Sequence, residues 1–244
     1  MNTFHAERAA DILTRVRQGK PRVHCLMNTV VQKFTADGLS ALGAIPSMTS
    51  SVEEVEAFVA RSGALTINLG TLDMERRRAI MLAVDMAIAR GKPWILDPVH
   101  CDASPSRLAF AHALLERSPT IIRANAAEMQ AIGDTPHVLR IRTGASDLLK
   151  RGSETVRIDN GHPWMAAVTG TGCLSGGIIA VFMAVEKDAL IAAASALLVV
   201  GVCAELAVPH SRGPGSFGIN LLDALSEVTG SEIVSHARFH HEQT

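Results

Sequence analysis

Short apolar runs alternate along the chain with longer stretches whose apolar residues recur at helical spacing. Arg22 to Leu26 predicts a strand, Val30 to Leu42 a helix closed by Gly43, Val52 to Arg61 a second helix, and Ala64 to Leu69 a second strand. Ile80, Val84 and Ile88 share one face of a helix over Met74 to Arg90, which Gly91-Lys92-Pro93 stops before a strand at Trp94 to Leu96. Strand, helix, strand in this rhythm is a βαβ unit. Leu108 to Glu116 predicts another helix, Thr120 to Arg123 a short strand, Ala126 to Ile132 a turn or two of helix, and Asp147 to Ile158 a hairpin about Arg151-Gly152-Ser153. From Cys173 to Val208 nearly everything is apolar helix.

The N-terminal stretch from Met1 to Gly19 reads as an amphipathic helix, because Glu7, Arg8, Asp11, Arg15 and Arg17 interrupt the apolar core that a signal peptide needs. Ala189 to Ala204 carries no charge but is shorter than the ~20 residues that span a bilayer. Its Ala, Ser and Gly content suits a buried helix, so no membrane segment is expected.

Composition narrows the class. The chain has 244 residues, of which 48% are hydrophobic and 19% charged, too apolar for a disordered segment. Only 4% are aromatic and none is Tyr, which favours helices on a parallel sheet over a β-sandwich. Lys and Arg number 23 against 24 Asp and Glu, so no field of one sign is available to recruit nucleic acid. Cys25, Cys101, Cys173 and Cys203 show no metal-ligand spacing and suit a reduced, cytoplasmic setting. Without repeats or linkers, residues 1–244 are expected to form a single domain.

The sharpest local signal is Thr169-Gly170-Thr171-Gly172-Cys173 leading into the apolar helix. Glycines let the backbone approach a ligand closely, and free N–H groups at a helix start suit a phosphate or a developing phosphoryl charge. A thiol there is expected to have its pKa lowered. A Gly-rich turn that merely caps the helix fits the same residues. No GxxxxGK[ST] loop is present, so a nucleotide needs another scheme.

Leu96-Asp97-Pro98-Val99 puts a carboxylate at the end of an apolar strand, where α/β enzymes hold ligands, although Asp is also an ordinary turn former. Asn125 and Glu128 have capping-box spacing. Two carboxylates at neighbouring strand ends would also make a site for hydrated Mg²⁺. Arg123 is a candidate phosphate clamp or a surface arginine. His24 and His100 lie beside strand ends and fit either a solvated surface or a metal site, while His236, His240 and His241 fall in a polar tail that reads as solvated.

Several long segments, in order, resemble the hydroxyethylthiazole kinase family of ribokinase-like enzymes. They are Val23-His24-Cys25-Leu26-Met27-Asn28-Thr29-Val30-Val31, Phe34 to Leu39, Ala41 to Ala44, Pro46-Ser47-Met48 and Ile67 to Leu72. They continue with Leu96 to Val99, Ile122 to Glu128, Asn160 to Met165, Val168 to Cys173 and Gly213 to Phe217, so that nearly the whole chain is covered. The resemblance implies a three-layer α/β/α fold with a mostly parallel central sheet, and ATP-dependent phosphorylation of the alcohol of 4-methyl-5-(2-hydroxyethyl)thiazole for thiamine salvage. Cys173 would sit near the attacking hydroxyl as a base. Gly170, Thr171, Gly172 and Cys173 would offer amides to the transferring phosphoryl group. Met48 and Gly170 would lie at the thiazole with Asn28 close by, Arg123 and Thr143 at ATP, and Asp97 and Glu128 at Mg²⁺. A homotrimer with active sites between subunits is also implied.

The chain departs from that pattern in three places. Only Gly133-Asp134-Thr135-Pro136 stands between Ile132 and His137, where the family carries a further loop and helix of roughly two dozen residues, so a crossover helix is expected to be deleted. Leu139-Arg140-Ile141-Arg142-Thr143 alternates apolar and charged, as a strand covered on one face does, and Arg140 and Arg142 are expected on a bared side. Ala145 replaces a carboxylate, and His100-Cys101-Asp102-Ala103-Ser104 replaces a more glycine-rich loop. Two other readings remain: a kinase of another small alcohol, such as a pyrimidine methanol or a sugar, and a non-catalytic thiazole- or thiamine-binding protein. Met48 weighs against a sugar, and Cys173, Asp97, Glu128 and Arg123 weigh against loss of catalysis.

Overall fold

The computed structural model describes residues 3–243; Met1, Asn2 and Thr244, the ends of the expected single domain, lie outside the described residues. The first half runs α1 (Ala6–Gly19), β1 (Arg22–Leu26), α2 (Gln32–Ala41), β2 (Ile45–Ser47), α3 (Val55–Arg61), β3 (Ala64–Asn68), α4 (Met74–Ala89), β4 (Trp94–Asp97), α5 (Pro105–Leu115), β5 (Ile121–Asn125) and α6 (Ala126–Ile132). The second half runs β6 (Leu139–Thr143), β7 (Asp147–Arg151), β8 (Glu154–Ile158), α7 (Trp164–Ala167), α8 (Thr171–Met183), α9 (Ala189–Ala207), α10 (Pro214–Glu227), α11 (Gly230–His236) and β9 (Phe239–Gln243). The sheet order is β2-β1-β3-β4-β5-β6-β7-β8-β9. Pairs from β2 through β6 are parallel, and the last three pairs are antiparallel.

Helices cover both faces. One apolar cluster joins α1, α8, α9 and α10 to the sheet, and the other packs α3, α4, α5 and α6 against β1, β3, β4 and β5. Such double cover explains why β3 is buried along its full length. The helix that begins at Ala189 is apolar enough to cross a membrane, but 83% of its apolar window is buried inside the protein. Asp188 starts it by accepting from the Leu190 and Ile191 amides, at 3.0 and 3.2 Å, while pairing with Arg151.

Three features differ from the sequence reading. The three-residue β2 was not anticipated between the helices at Val30 and Val52, and the apolar stretch from Cys173 divides into two helices. The tail at His240 and His241 forms edge strand β9, where the His241 Nε2 lies 2.8 Å from the Phe4 carbonyl. The shortened segment after Ile132 does not have to make the crossover alone, because α6 together with the residues up to β6 carries the chain from β5 to its parallel neighbour. The expected deletion therefore concerns cover rather than connection. Arg142 is exposed, while Arg140 is half-buried and pairs with Asp134 of the linker at 2.8 Å.

His24 lies within β1 and is fully buried. Burial pushes its pKa down to about 4, against partial support from the Thr49 carbonyl and the Glu54 charge. A depressed histidine contributes stability above its unfolded pKa, and that contribution is lost as pH falls from about 6.5 through about 4. His24→Gln is expected to remove roughly 2 kcal/mol of the acid destabilisation between pH 7 and 4.5. Urea unfolding at both pH values reads the difference, and parallel losses in the variant and the parent would contradict it.

Candidate functional site

The parallel strands all end on one edge, and register decides which side chains meet there. Asn68 is paired with Asp97 across β3 and β4, and Asn125 with Thr143 across β5 and β6. Asn28 follows the end of β1 and is 7% exposed. Over these ends sits the start of α8, with Gly170 as its N-cap at φ +102.

Cys173 is the meeting point. Its Sγ accepts from the Asn68 Nδ2 at 3.2 Å and from the Asn28 Nδ2 at 3.6 Å. The Asn68 side chain is oriented by the Gly70 amide, which donates to its Oδ1 at 3.0 Å. Its nitrogen therefore points at both Cys173 and the Asp97 carboxylate, the latter at 3.1 Å. Arg123 Nη1 stands 3.4 Å from the same Asp97 oxygen. A Cβ on Gly172 would lie 3.1 Å from the Arg123 Nη2, so the glycine leaves room for the guanidinium against the helix start.

Electrostatics corrects one expectation. Burial pushes the Cys173 thiol up to about 11, with the Asp97 charge adding to the rise, although Arg123 and both asparagines oppose it. Desolvation is the largest cause, so the thiol is raised where the loop alone predicts a lowered one. Asp97 is likewise pushed up to about 6 by burial and by the Glu128 charge, against Arg123 and Asn68.

Glu128 takes the expected capping box. Its Oε2 accepts from the Asn125 amide at 2.9 Å, and its own amide donates to the Asn125 Oδ1 at 2.9 Å. Its Oε1 accepts from the His100 amide at 2.7 Å. The side chains of His100, Asp102 and Glu128 bring ligand atoms within 4.8 Å of one another. His100 is exposed beside this acidic group.

The remaining predicted residues are less tightly joined. Thr171 is buried and turns its hydroxyl onto the Met165 and Val168 carbonyls, at 2.5 and 3.2 Å. Its amide reaches the Val168 carbonyl at 3.4 Å, which leaves the Gly172 and Cys173 amides as the freer donors of the proposed anion hole. A Cβ on Gly170 would lie 3.0 Å from Val31 and 3.3 Å from Phe34, so this glycine is needed both for its φ and for the close approach of α2. Thr143 closes β6 on the same edge, half-buried. Met48 follows β2 and packs, half-buried, against the apolar core. Asn68 and Asp147 were missed by the sequence reading. Asp147 is pushed up by burial while the Arg123 charge opposes the rise, and its Oδ1 accepts from the Gly144 amide at 3.2 Å.

The chain is similar to known proteins over nearly its whole length. A profile of the hydroxyethylthiazole kinase family matches residues 13–140 and 130–231. The chain is 66% identical over 238 residues to a probable hydroxyethylthiazole kinase of Agrobacterium fabrum, covering 98% of this chain and 97% of that one. It is 38% identical over 259 residues to a hydroxyethylthiazole kinase of Granulibacter bethesdensis, covering 96% of this chain and 94% of the other. The second alignment is longer than this 244-residue chain, as extra residues in the relative require, whereas the first is not. The fold superposes on the structure of a hydroxyethylthiazole kinase protein from Pyrococcus horikoshii OT3 with a TM-score of 0.92 and 33% identity, covering 96% and 99% of the two chains.

Proposed function

The chain belongs to the hydroxyethylthiazole kinase family, ribokinase-like in fold. On that premise we propose that it transfers the terminal phosphoryl group of ATP to the hydroxyl of 4-methyl-5-(2-hydroxyethyl)thiazole, giving the thiazole phosphate and ADP for thiamine salvage. The observation that carries the reading is the junction at the strand ends, where Cys173, Asn68, Asp97 and Arg123 form a chain, each within hydrogen-bonding or ion-pairing distance of the next.

In this mechanism the thiazole lies by Met48, Asn28 and Gly170, with its hydroxyl toward the Cys173 Sγ. Arg123 and Thr143 hold the nucleotide, and the Gly172 and Cys173 amides face the phosphoryl group in flight, where fixed dipoles cost no reorganisation. The substrate oxygen bonds to the γ-phosphorus as the bond to the ADP oxygen breaks, and the hydroxyl proton passes to the Cys173 sulfur. In a loose transition state the proton leaves late, so a small population of thiolate suffices. Asn28 and Asn68 donate to that sulfur and favour its charged form.

Asp97 and Glu128 fit a hydrated Mg²⁺, because a desolvated carboxylate raised by a neighbouring carboxylate is a pair that a cation relieves. When bound, the ion would neutralise phosphate charge and the Asp97 charge that holds the thiol up. A cytoplasmic setting, where ATP is available and thiols stay reduced, suits the four free cysteines. Assembly as a homotrimer with active sites between subunits is part of the same proposal, and Val30, 70% exposed beside Asn28, offers an apolar side chain at the rim of the site.

Incubation with Mg-ATP and the thiazole alcohol, followed by mass spectrometry, tests the reading: the phosphate ester is expected, and its absence with intact protein would overturn it. The nucleotide assignment is tested by Arg123→Lys, which keeps a cation opposite Asp97 but removes the planar fork. This variant is expected to raise the KM for ATP about tenfold. A KM for the thiazole that rises instead would reassign Arg123.

A further inference from the structure

His24 is a fully buried polar ring that the mechanism above does not use. It sits in β1 directly opposite Ser47 of the parallel neighbour β2. Its Nδ1 lies 2.8 Å from the Ser47 Oγ and its Nε2 lies 3.0 Å from the Thr49 carbonyl. A carbonyl only accepts, so Nε2 carries the proton and Nδ1 receives the Ser47 hydroxyl. A single neutral imidazole thus grips the residues immediately before and after Met48.

The grip is continued on both sides. The Phe58 ring of α3 stacks on His24 with centroids 5.8 Å apart. The Thr49 hydroxyl donates to the Glu54 carboxylate just ahead of that helix. The Ser47 Oγ also lies 3.3 Å from the Val23 carbonyl. β2 has three residues and stands at the sheet edge, and so short an edge strand has little register of its own to place the residue that follows it.

We infer that His24 is a positioning residue for substrate binding, a clasp that fixes the Ser47-Met48-Thr49 segment and thereby the apolar wall that Met48 offers to the thiazole. The inference rests on the placement of Met48 at the thiazole proposed above. His24 itself touches no reactant. Its influence is confined to the alcohol side of the site, because the nucleotide residues Arg123 and Thr143 are held by β5 and β6, on the far side of β3 and β4.

His24→Gln and Ser47→Ala test it by two readouts. Hydrogen exchange over residues 45–52 reads the clasp without any substrate: faster exchange there, with α4 and α9 unchanged, is expected, and unchanged exchange would overturn the clasp. Steady-state kinetics reads its consequence. In His24→Gln the KM for the thiazole alcohol is expected to rise about tenfold, and in Ser47→Ala about threefold, with kcat and the KM for ATP little changed. A thiazole KM equal to that of the parent, or thiazole and ATP constants rising together, would overturn the positioning role. Failure of the unsubstituted protein to phosphorylate the thiazole, with the exchange result intact, would remove the reading of Met48 and leave the clasp.

Discussion

Cys173→Ala is expected to lower kcat about a hundredfold while leaving the dissociation constant for the thiazole alcohol nearly unchanged, as loss of a positioned proton acceptor does. The parent enzyme should gain activity as pH rises above 7, because burial holds the thiol near 11 and the thiolate fraction grows with each unit below that value. Cys173→Ala should lose this alkaline rise. The residual rate would come from the amides of α8 and from Arg123, which remain in place to position and neutralise the phosphoryl group. Equal kcat values in the variant and the parent across pH 6.5 to 9 would remove Cys173 from proton transfer.

The largest expected loss of stability comes from a glycine far from the chemistry. A Cβ at Gly201 of α9 would stand 2.6 Å from the Asn160 carbonyl oxygen and 2.7 Å from the Asn160 Cβ. Asn160 cannot give way easily, since its Nδ2 donates to Glu205 at 3.0 Å and to the His236 carbonyl at 2.9 Å, while its Oδ1 accepts from the Arg238 amide at 2.7 Å. Either the central helix or the loop after β8 must shift. Gly201→Ala is therefore expected to cost about 3 kcal/mol and to lower Tm by about 10 °C. Gly19→Ala is the control, because a Cβ there meets nothing within 4 Å. Similar Tm values for the two variants would show that the close approach is not strained.

Particular residues show what the chain discloses before its fold is known. The βαβ rhythm was legible because β3 and β4 are short apolar runs and Ile80 and Val84 of α4 fall on its buried face, although Ile88 of the same predicted stripe is exposed. The thiol loop stood out because glycines before an apolar helix free amides for a ligand, although a turn that merely caps the helix fits the same residues. Asn68 was not, since an asparagine at the end of a strand looks like a turn former. Only the pairing of β3 with β4 in register brings it between Asp97 and Cys173. β2 was hidden by its length and by Pro46, and β9 by its polar residues, which alternate too weakly to mark a strand. The direction of the Cys173 shift was also beyond reach, because burial is a property of the packed whole and here outweighs Arg123 and both asparagines.

The shortened segment before β6 bears on the account as a whole. The family pattern implies a further helix over the strand that ends in Thr143, and Arg142 stands exposed on that strand. Activity thus depends on whether the junction at the strand ends suffices without that cover. Coupled ADP release with Mg-ATP measures this directly, using the thiazole alcohol beside a pyrimidine methanol and a sugar. Thiazole-dependent ADP release well above that with the other alcohols is the result predicted. Thiazole binding by calorimetry without ADP release, or release driven by the sugar instead, would contradict it.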